Sequence, residues 1–125
     1  MPIKKLLERN ALFIAISITV LIAIISLISL KGVYLLKAQN SDKYGHFFTY
    51  FILGLSWLNA IKNPSRKISI NFIIIFLIIC YGIIIEVLQD ILTTYRQADL
   101  FDIIANSAGV IFAVILYNLL KKKIQ

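Results

Sequence analysis

Four long apolar stretches, separated by short polar segments, dominate the chain. A helix needs about 20 mostly apolar residues to cross the hydrocarbon core of a bilayer. The pattern therefore predicts four transmembrane helices, at about 11–30, 44–61, 68–92 and 100–120. Because the connections are short, consecutive helices should be antiparallel neighbours in a compact bundle. The predicted fold is an all-α membrane protein, a single-domain four-transmembrane-helix bundle with short loops.

The composition favours a lipid environment over water. Of the 125 residues, 60% are hydrophobic and 15% are charged. A soluble domain of this size has too much surface for its volume to hide that much apolar side chain. The net charge of +7 comes from basic residues in short clusters between apolar stretches. Residues that anchor a protein at the membrane surface have this arrangement, so we expect the bilayer and no nucleic acid as partner.

The basic residues also predict an orientation. The first stretch is too long for the apolar core of a signal peptide and no cleavage site follows it, so we expect a retained helix. Nine basic residues lie on one side of the predicted bundle and four on the other. The larger set is Lys4, Lys5, Arg9, Lys62, Arg66, Lys67, Lys121, Lys122 and Lys123, and the smaller is Lys31, Lys37, Lys43 and Arg96. The larger set should be cytoplasmic, which places both termini there.

The third apolar stretch contains polar residues whose burial in lipid costs free energy. Glu86, Gln89 and Asp90 follow one another at i, i+3 and i+4, which predicts one shared helix face. Glu86 should lie about 9 Å below the outer end of its helix. An ionisable group at bilayer depth costs about 2.5–3.5 kcal/mol on insertion scales, so we expect partners on neighbouring helices.

Two further helices carry polar residues at the same predicted depth. The spacing is that of one helix face in both cases, and the residues are Asp42, His46, Tyr50 and Gly54 in the second helix and Asp102, Asn106 and Gly109 in the fourth. Gly109 and Ala113 add small residues that let another helix approach closely. Three polar faces in the outer third of the membrane are expected to point at one another.

Simpler roles remain open for several of these residues. Asp99 and Asp42 could cap their helices, and Asp102 could interact with the helix dipole. Lys43 could reach from the interface toward water, and Arg96 could pair with a neighbouring acid. The aromatic residues in this region are expected to pack rather than to bind a ligand, namely Tyr50, Trp57 and Tyr81.

The order of these polar residues resembles the VanZ-like family. The first part is Asp42-Lys43-Tyr44-Gly45-His46-Phe47, continuing through Tyr50 to Leu53-Gly54. The second is Glu86-Val87-Leu88-Gln89, followed by Arg96, Asp99, Asp102, Asn106 and Gly109. The combination is fairly specific and covers residues 42–109. On this resemblance, the family's polar signature is carried by Asp42, Lys43, His46, Glu86, Gln89, Arg96, Asp102 and Asn106. Asp90 is an additional carboxylate, and Ala113 stands at a position that is often glycine.

The resemblance implies a small multi-pass protein of the bacterial cytoplasmic (inner) membrane. The family's namesake is linked to resistance against the glycopeptide teicoplanin. Such resistance concerns the outer leaflet, where the lipid-linked peptidoglycan precursor is exposed. An accessory role in glycopeptide resistance is therefore one expectation for the chain.

Three functions stay open on the sequence. We favour an outward-facing polar pocket that binds a polyprenyl-phosphate or a peptidoglycan precursor lipid, with no catalysis, cofactor or metal. Lys43, His46 and Arg96 would meet the phosphate. The candidate ligand-binding or polar-network residues are Asp42, Lys43, His46, Glu86, Gln89, Arg96, Asp99, Asp102 and Asn106.

The first alternative is a membrane-embedded metal-dependent enzyme acting on a lipid head group. Its oxygen and nitrogen ligands would be His46, Glu86, Asp90, Asp99 and Asp102, although no established metal-ligand spacing is present. The second alternative is a hydrogen-bonded network that only fixes helix packing.

Overall fold

The computed structural model describes residues 2–28, 41–61, 67–94 and 97–123, with side chains from residue 43 onward in the second range. Every secondary-structure element in these ranges is an α-helix, so the all-α prediction is confirmed. The helices are α1 (Ile3–Arg9), α2 (Ala11–Leu27), α3 (Ser41–Ala60), α4 (Ile68–Leu92) and α5 (Leu100–Lys123).

The observed helix bounds differ from the predicted ones at some helix ends. α4 has the predicted bounds, whereas α2 ends at Leu27 because the backbone of Ile28 is extended, with φ −72° and ψ 123°. α3 begins at Ser41, ahead of its apolar stretch, and serine is favoured at helix starts. α5 continues to Lys123, since lysines in a last turn interact favourably with the helix dipole.

The short helix α1 was not predicted. It meets α2 at a bend of 69° centred on Asn10. The Asn10 N–H donates to the carbonyl of Leu6, and the Asn10 carbonyl accepts from the N–H of Ile14, so one residue ends α1 and begins α2. Four of the seven residues of α1 are charged, and all are exposed. The apolar pattern missed this helix because it recognises only segments that would lie in lipid.

Length and composition mark α4 and α5 as candidate membrane spans. α1 and α2 together form a third candidate span if the bent pair is counted as one span. α3 is not among the candidate spans, and it carries Lys43 and His46 in its first two turns. The structure therefore supports helices of the membrane type, and the predicted total of four spans remains a proposal.

Direct contacts fix how the helices are arranged. The most extensive contact is between α3 and α5, and the helices follow the order α2, α3, α5, α4 around the bundle. The Tyr81 hydroxyl donates to the Thr19 carbonyl at 2.6 Å, and the Gln89 amide donates to the Ser26 carbonyl at 2.9 Å. These two bonds make α2 and α4 parallel. The contacts described below make α3 and α5 parallel to each other and antiparallel to α4.

The centre of the bundle is apolar over most of its length. Its buried residues are Ile22, Tyr50, Leu53, Leu58, Ile74, Ile78 and Val110. The outward faces carry exposed isoleucine, leucine and phenylalanine, such as Phe76 on α4. Apolar side chains outside and a polar cluster inside one end are the distribution expected when lipid replaces water around a protein.

Candidate functional site

The site depends on the close approach of α3 and α5. A Cβ atom at Gly109 would clash with the carbonyl oxygen of Phe47 and lie 3.0 Å from the nitrogen of Phe51. A Cβ atom at Gly54 would lie 2.9 Å from the Cβ of Ala113. The two backbones therefore approach each other where the sequence offers small residues, as the spacing predicts. Side chains one turn nearer the N-termini of both helices are thereby brought into contact.

His46 is the centre of the polar residues that meet there. Its Nδ1 lies 3.0 Å from Oδ1 of Asn106 on α5 and 3.7 Å from Oε1 of Glu86 on α4. Its Nε2 lies 3.5 Å from Oδ2 of Asp102, also on α5. We refer to His46, Glu86, Asp102 and Asn106 as the polar cluster. Three helices contribute to it, and the sequence separates its members by up to 60 residues.

The polar cluster is inside the bundle. Glu86 and Asn106 are each 1% exposed and Asp102 is 6% exposed. Burying a carboxylate is costly unless it is paired or hydrogen-bonded. His46 lies 3.7 Å from Oε1 of Glu86 and 3.5 Å from Oδ2 of Asp102, so Glu86 has a partner on a neighbouring helix, as the sequence predicted.

Gly82 gives α4 room to approach the cluster. A Cβ atom at this position would lie 3.1 Å from Cε1 of Tyr50 and 3.3 Å from Nδ2 of Asn106. The Tyr50 ring and the Asn106 amide therefore lie side by side against the backbone of α4. The Tyr50 hydroxyl and the Asn106 Nδ2 are both buried and have no hydrogen-bond partner among the described residues. Two buried hydrogen-bond donors are thus placed at the cluster.

All cluster residues lie at the same end of the bundle. His46 is in the first two turns of α3, Asp102 and Asn106 are in the first two turns of α5, and Glu86 is in the last two turns of α4. Because α4 runs opposite to α3 and α5, these positions coincide in height. The shared depth that the sequence predicted for the three polar faces is what the structure shows.

Other predicted site residues have local partners near the cluster. Gln89 is buried, but its amide donates to the Ser26 carbonyl and so joins α4 to α2. Asp99 caps α5, since its Oδ1 accepts from the Phe101 N–H at 2.8 Å. The Lys43 ammonium lies over the ring of Phe101, 5.6 Å from the ring centroid. Lys43 therefore lies at the same end of the bundle as the cluster and outside it.

Three predicted positions are not seen in the cluster. Asp90 is exposed, so the expectation that it shares the inner face with Glu86 and Gln89 was wrong. Adjacent residues lie about 100° apart around a helix, and Asp90 follows Gln89 beyond the edge of the buried face. The Asp42 side chain and Arg96 lie outside the described residues.

Sequence reasoning placed Tyr50 on the polar face of α3 but missed the contribution of its hydroxyl, and it missed Gly82. Tyr50 was expected to pack, and its ring does so, yet its buried hydroxyl lies beside the cluster. Gly82 precedes Glu86 by four residues and therefore shares its face of α4. A glycine one turn from a buried acid was the available signal for a close approach.

Three members of the cluster could hold a metal ion. His46, Glu86 and Asp102 each offer one ligand atom, and these atoms lie within 4.8 Å of one another. Of the five metal ligands considered from the sequence, the described part of the chain brings these three together. Asp90 is exposed and Asp99 is a helix cap, so neither belongs to this group.

Comparison with curated proteins gives a relative whose name assigns no activity. A curated protein of Schizosaccharomyces pombe, itself uncharacterized, is 35% identical over 88 residues, which are 70% of this chain and 53% of the yeast protein. The chain thus spans about half the length of that relative. No solved structure matches the chain.

The family comparison is more extensive. The model of the family described as VanZ/LLP1 matches residues 4–121, a range that overlaps all five helices and includes every member of the polar cluster. The resemblance drawn from the polar signature is confirmed, and the chain belongs to the VanZ/LLP1 family.

Proposed function

We propose that this chain is a four-span membrane protein that binds the phosphate-bearing head group of a lipid in the polar cluster. The observation that carries the proposal is a buried cluster with two hydrogen-bond donors, the Tyr50 hydroxyl and the Asn106 Nδ2, that have no partner among the described residues. Buried donors without an acceptor are unfavourable, and phosphate oxygens are strong acceptors.

The four-span topology requires α3 to cross the membrane as well. Its 20 residues give a length of about 30 Å, which matches the hydrocarbon core. Its polar residue His46 faces α4 and α5 rather than lipid. Polar residues that face the bundle interior are the usual exception to the apolar composition of membrane helices. We therefore count α2, α3, α4 and α5 as spans.

Four spans put both termini on one side. The basic residues of α1 and of the last turn of α5 favour the cytoplasm for that side. The polar cluster would then lie in the outer half of a cytoplasmic membrane. A reporter fused after Gln125 that is active only on the external side would contradict this orientation.

The ligand class follows from the position of the cluster. A head group that reaches it must come from the outer end of the bundle, where Lys43 lies over Phe101. Lysine there would attract a phosphate, and Tyr50 and Asn106 would donate to its oxygens. Polyprenyl-phosphates and peptidoglycan precursor lipids carry such groups. Glu86, Asp102 and His46 would hold the donors in place.

Binding is tested with the purified full chain in nanodiscs and a polyprenyl-phosphate as probe. The Tyr50→Phe change removes one buried donor, and we expect affinity to fall by about 10–100-fold, the value of a hydrogen bond to a charged group. Tyr81→Phe is the matched control, because its ring lies 6.3 Å from that of Tyr50 but its hydroxyl is engaged by the Thr19 carbonyl.

Two results would overturn the binding proposal. One is equal affinity in the wild type, Tyr50→Phe and Asn106→Ala. The other is a set of co-purified lipids, measured by mass spectrometry, that contains no phosphate-bearing polyprenyl lipid and does not change in Asn106→Ala. In either case the cluster would be a network that only fixes helix packing.

The family resemblance also supports a proposal about glycopeptides. A chain that occupies the head group of a peptidoglycan precursor would change the amount of target that teicoplanin reaches. Expression in a susceptible bacterium should raise the inhibitory concentration for the wild type and not for Tyr50→Phe. The yeast relative shows that a bacterial source does not follow from the family, so this role is separate from head-group binding.

A further inference from the structure

We propose that the polar cluster is a divalent-cation site, with His46, Glu86 and Asp102 as protein ligands. The ion would leave positions open for the oxygens of a phosphate. This last role rests on the proposed function, whereas binding of the ion does not. The argument comes from the distances within the cluster, from the tautomer of His46 and from the two buried donors beside it.

The distance between His46 and Asp102 suits two ligands of one ion. His46 Nε2 and Asp102 Oδ2 are 3.5 Å apart, and His46 Nδ1 and Glu86 Oε1 are 3.7 Å apart. Charge-assisted hydrogen bonds between nitrogen and oxygen are shorter, at about 2.7–2.9 Å. Two ligands bound at about 2.1 Å to one tetrahedral ion are separated by about 3.4 Å. Nε2 of His46 and Oδ2 of Asp102 therefore stand at the spacing of two ligands around a shared ion. His46, Glu86 and Asp102 each offer one ligand atom that lies within 4.8 Å of the other two.

The hydrogen bond of His46 to Asn106 assigns its two ring nitrogens. Oδ1 of Asn106 is an acceptor, so the proton of the neutral ring is on Nδ1, at 3.0 Å. The lone pair is then on Nε2, which faces the Asp102 carboxylate. In the neutral ring this places two electron-rich atoms face to face, which is unfavourable unless a metal ion or a proton lies between them. A histidine that binds metal through one nitrogen commonly donates from the other to an oxygen, as His46 does here.

The buried donors supply an independent observation that points to a ligand. The Tyr50 ring, which carries one buried hydroxyl, and the Asn106 Nδ2 lie side by side against Gly82, one turn from Glu86. These donors suit an anion, whereas Glu86 and Asp102 would repel one. Positive charge next to the acids would offset their repulsion of a phosphate. An ion among the three ligand atoms provides that charge where it is required.

The ligand types limit which ions fit. One imidazole nitrogen and two carboxylates suit Mn²⁺, Fe²⁺, Co²⁺ or Zn²⁺ better than Ca²⁺, which takes six to eight oxygen ligands. Three protein ligands with further positions open are the arrangement of sites where the ion contacts a substrate. We therefore choose Co²⁺ and Zn²⁺ as probes.

The site is tested with the full chain in nanodiscs of phosphatidylcholine, with no polyprenyl-phosphate added. Titration with Co²⁺ should show one ion per chain. Glu86→Gln should weaken binding by about 100-fold or more, since changes in the outer shell alone cost about 10–100-fold. Asp90→Asn is the matched control, because it removes an exposed carboxylate four residues further along the same helix. Equal affinities in these two variants would overturn the site.

A second measurement does not depend on the folding of a variant. His46 is the only histidine of the chain, so its two nitrogens are the only imidazole signals in a ¹⁵N spectrum. In the wild type, Zn²⁺ alone should shift the Nε2 signal and leave a proton on Nδ1. An unchanged spectrum at saturating Zn²⁺ would overturn the proposal, and a shift at Nδ1 would overturn the assignment of the ligand atom.

The same preparation separates this inference from the proposed function. Polyprenyl-phosphate affinity is measured with Zn²⁺ and after its removal by a chelator. Loss of phosphate binding without the ion supports both ideas. Equal phosphate binding with and without Zn²⁺ keeps the proposed function and overturns the role of the ion. Zn²⁺ binding with no phosphate binding in either state keeps the ion site and overturns the proposed function.

Discussion

The contact between α3 and α5 gives the sharpest test of how the polar cluster is held together. We expect Gly109→Ala to destabilise the fold by about 2–4 kcal/mol. The new Cβ would clash with the Phe47 carbonyl oxygen and stand 3.0 Å from the Phe51 nitrogen. Both contacts are with backbone, which cannot rotate away as a flexible side chain would. The helices must therefore separate by roughly 1 Å to restore an ordinary carbon–oxygen contact of about 3.3 Å.

That separation has two costs. Overpacking of a close interface costs about 1–3 kcal/mol. A shift of roughly 1 Å would also lengthen the 3.0 Å contact between His46 and Asn106 to about 4 Å, beyond hydrogen-bond range, at about 1 kcal/mol. The two costs add up to the range of about 2–4 kcal/mol given for Gly109→Ala. Because the second cost is the loss of the contact between His46 and Asn106, we also expect this change to weaken cation binding.

The assay is equilibrium unfolding in mixed detergent micelles, followed by circular dichroism. Gly45→Ala is the matched control on α3, since a Cβ there meets nothing within 4 Å. Alanine is the better helix former by about 0.8–1.0 kcal/mol, so this control should be neutral or slightly stabilising. If Gly109→Ala proves as stable as Gly45→Ala, the close approach of α3 and α5 does not hold the bundle.

Three further predictions concern local contacts. Asp99→Ala should cost about 1 kcal/mol by removing the cap of α5, whereas Asp99→Asn should be nearly neutral, in the same unfolding assay. Thr19→Val removes the oxygen that accepts from Trp57 Nε1 at 3.0 Å, so we expect a loss of about 1 kcal/mol and a changed emission maximum of the chain's single tryptophan. Unchanged fluorescence would contradict the bond. Gln89→Leu should cost about 0.5–1.5 kcal/mol through loss of the bond to the Ser26 carbonyl, with faster amide exchange at the end of α2 as the check.

Much of the cluster could be predicted from helix spacing. Repetition every four residues put His46, Tyr50 and Gly54 on one face of α3, and put Asp102, Asn106 and Gly109 on one face of α5. The cost of acids in lipid predicted that Glu86 would have partners on other helices. These arguments worked because a buried charge in an apolar helix leaves few stable arrangements.

Other features could not be predicted because spacing does not fix how a helix is rotated about its axis. The spacing of Glu86, Gln89 and Asp90 is that of one helix face, yet of these residues Glu86 and Gln89 are buried and Asp90 is exposed. The rotation of α4 is set by Gly82, where Tyr50 and Asn106 approach its backbone. The charged helix α1 was also not predicted, because an apolar pattern indicates contact with lipid and not helix formation.

The sequence by itself determined that the chain is helical, that its helices are of the membrane type and that most of its acids lie near one end. Hydrophobic length and residue periodicity are local properties, and they suffice for those conclusions. Only the tertiary structure decided that Glu86 and Asp102 meet at His46 while Asp90 and Asp99 do not. Side-chain convergence depends on the rotation and separation of packed helices, and these are set by contacts between residues far apart in the chain.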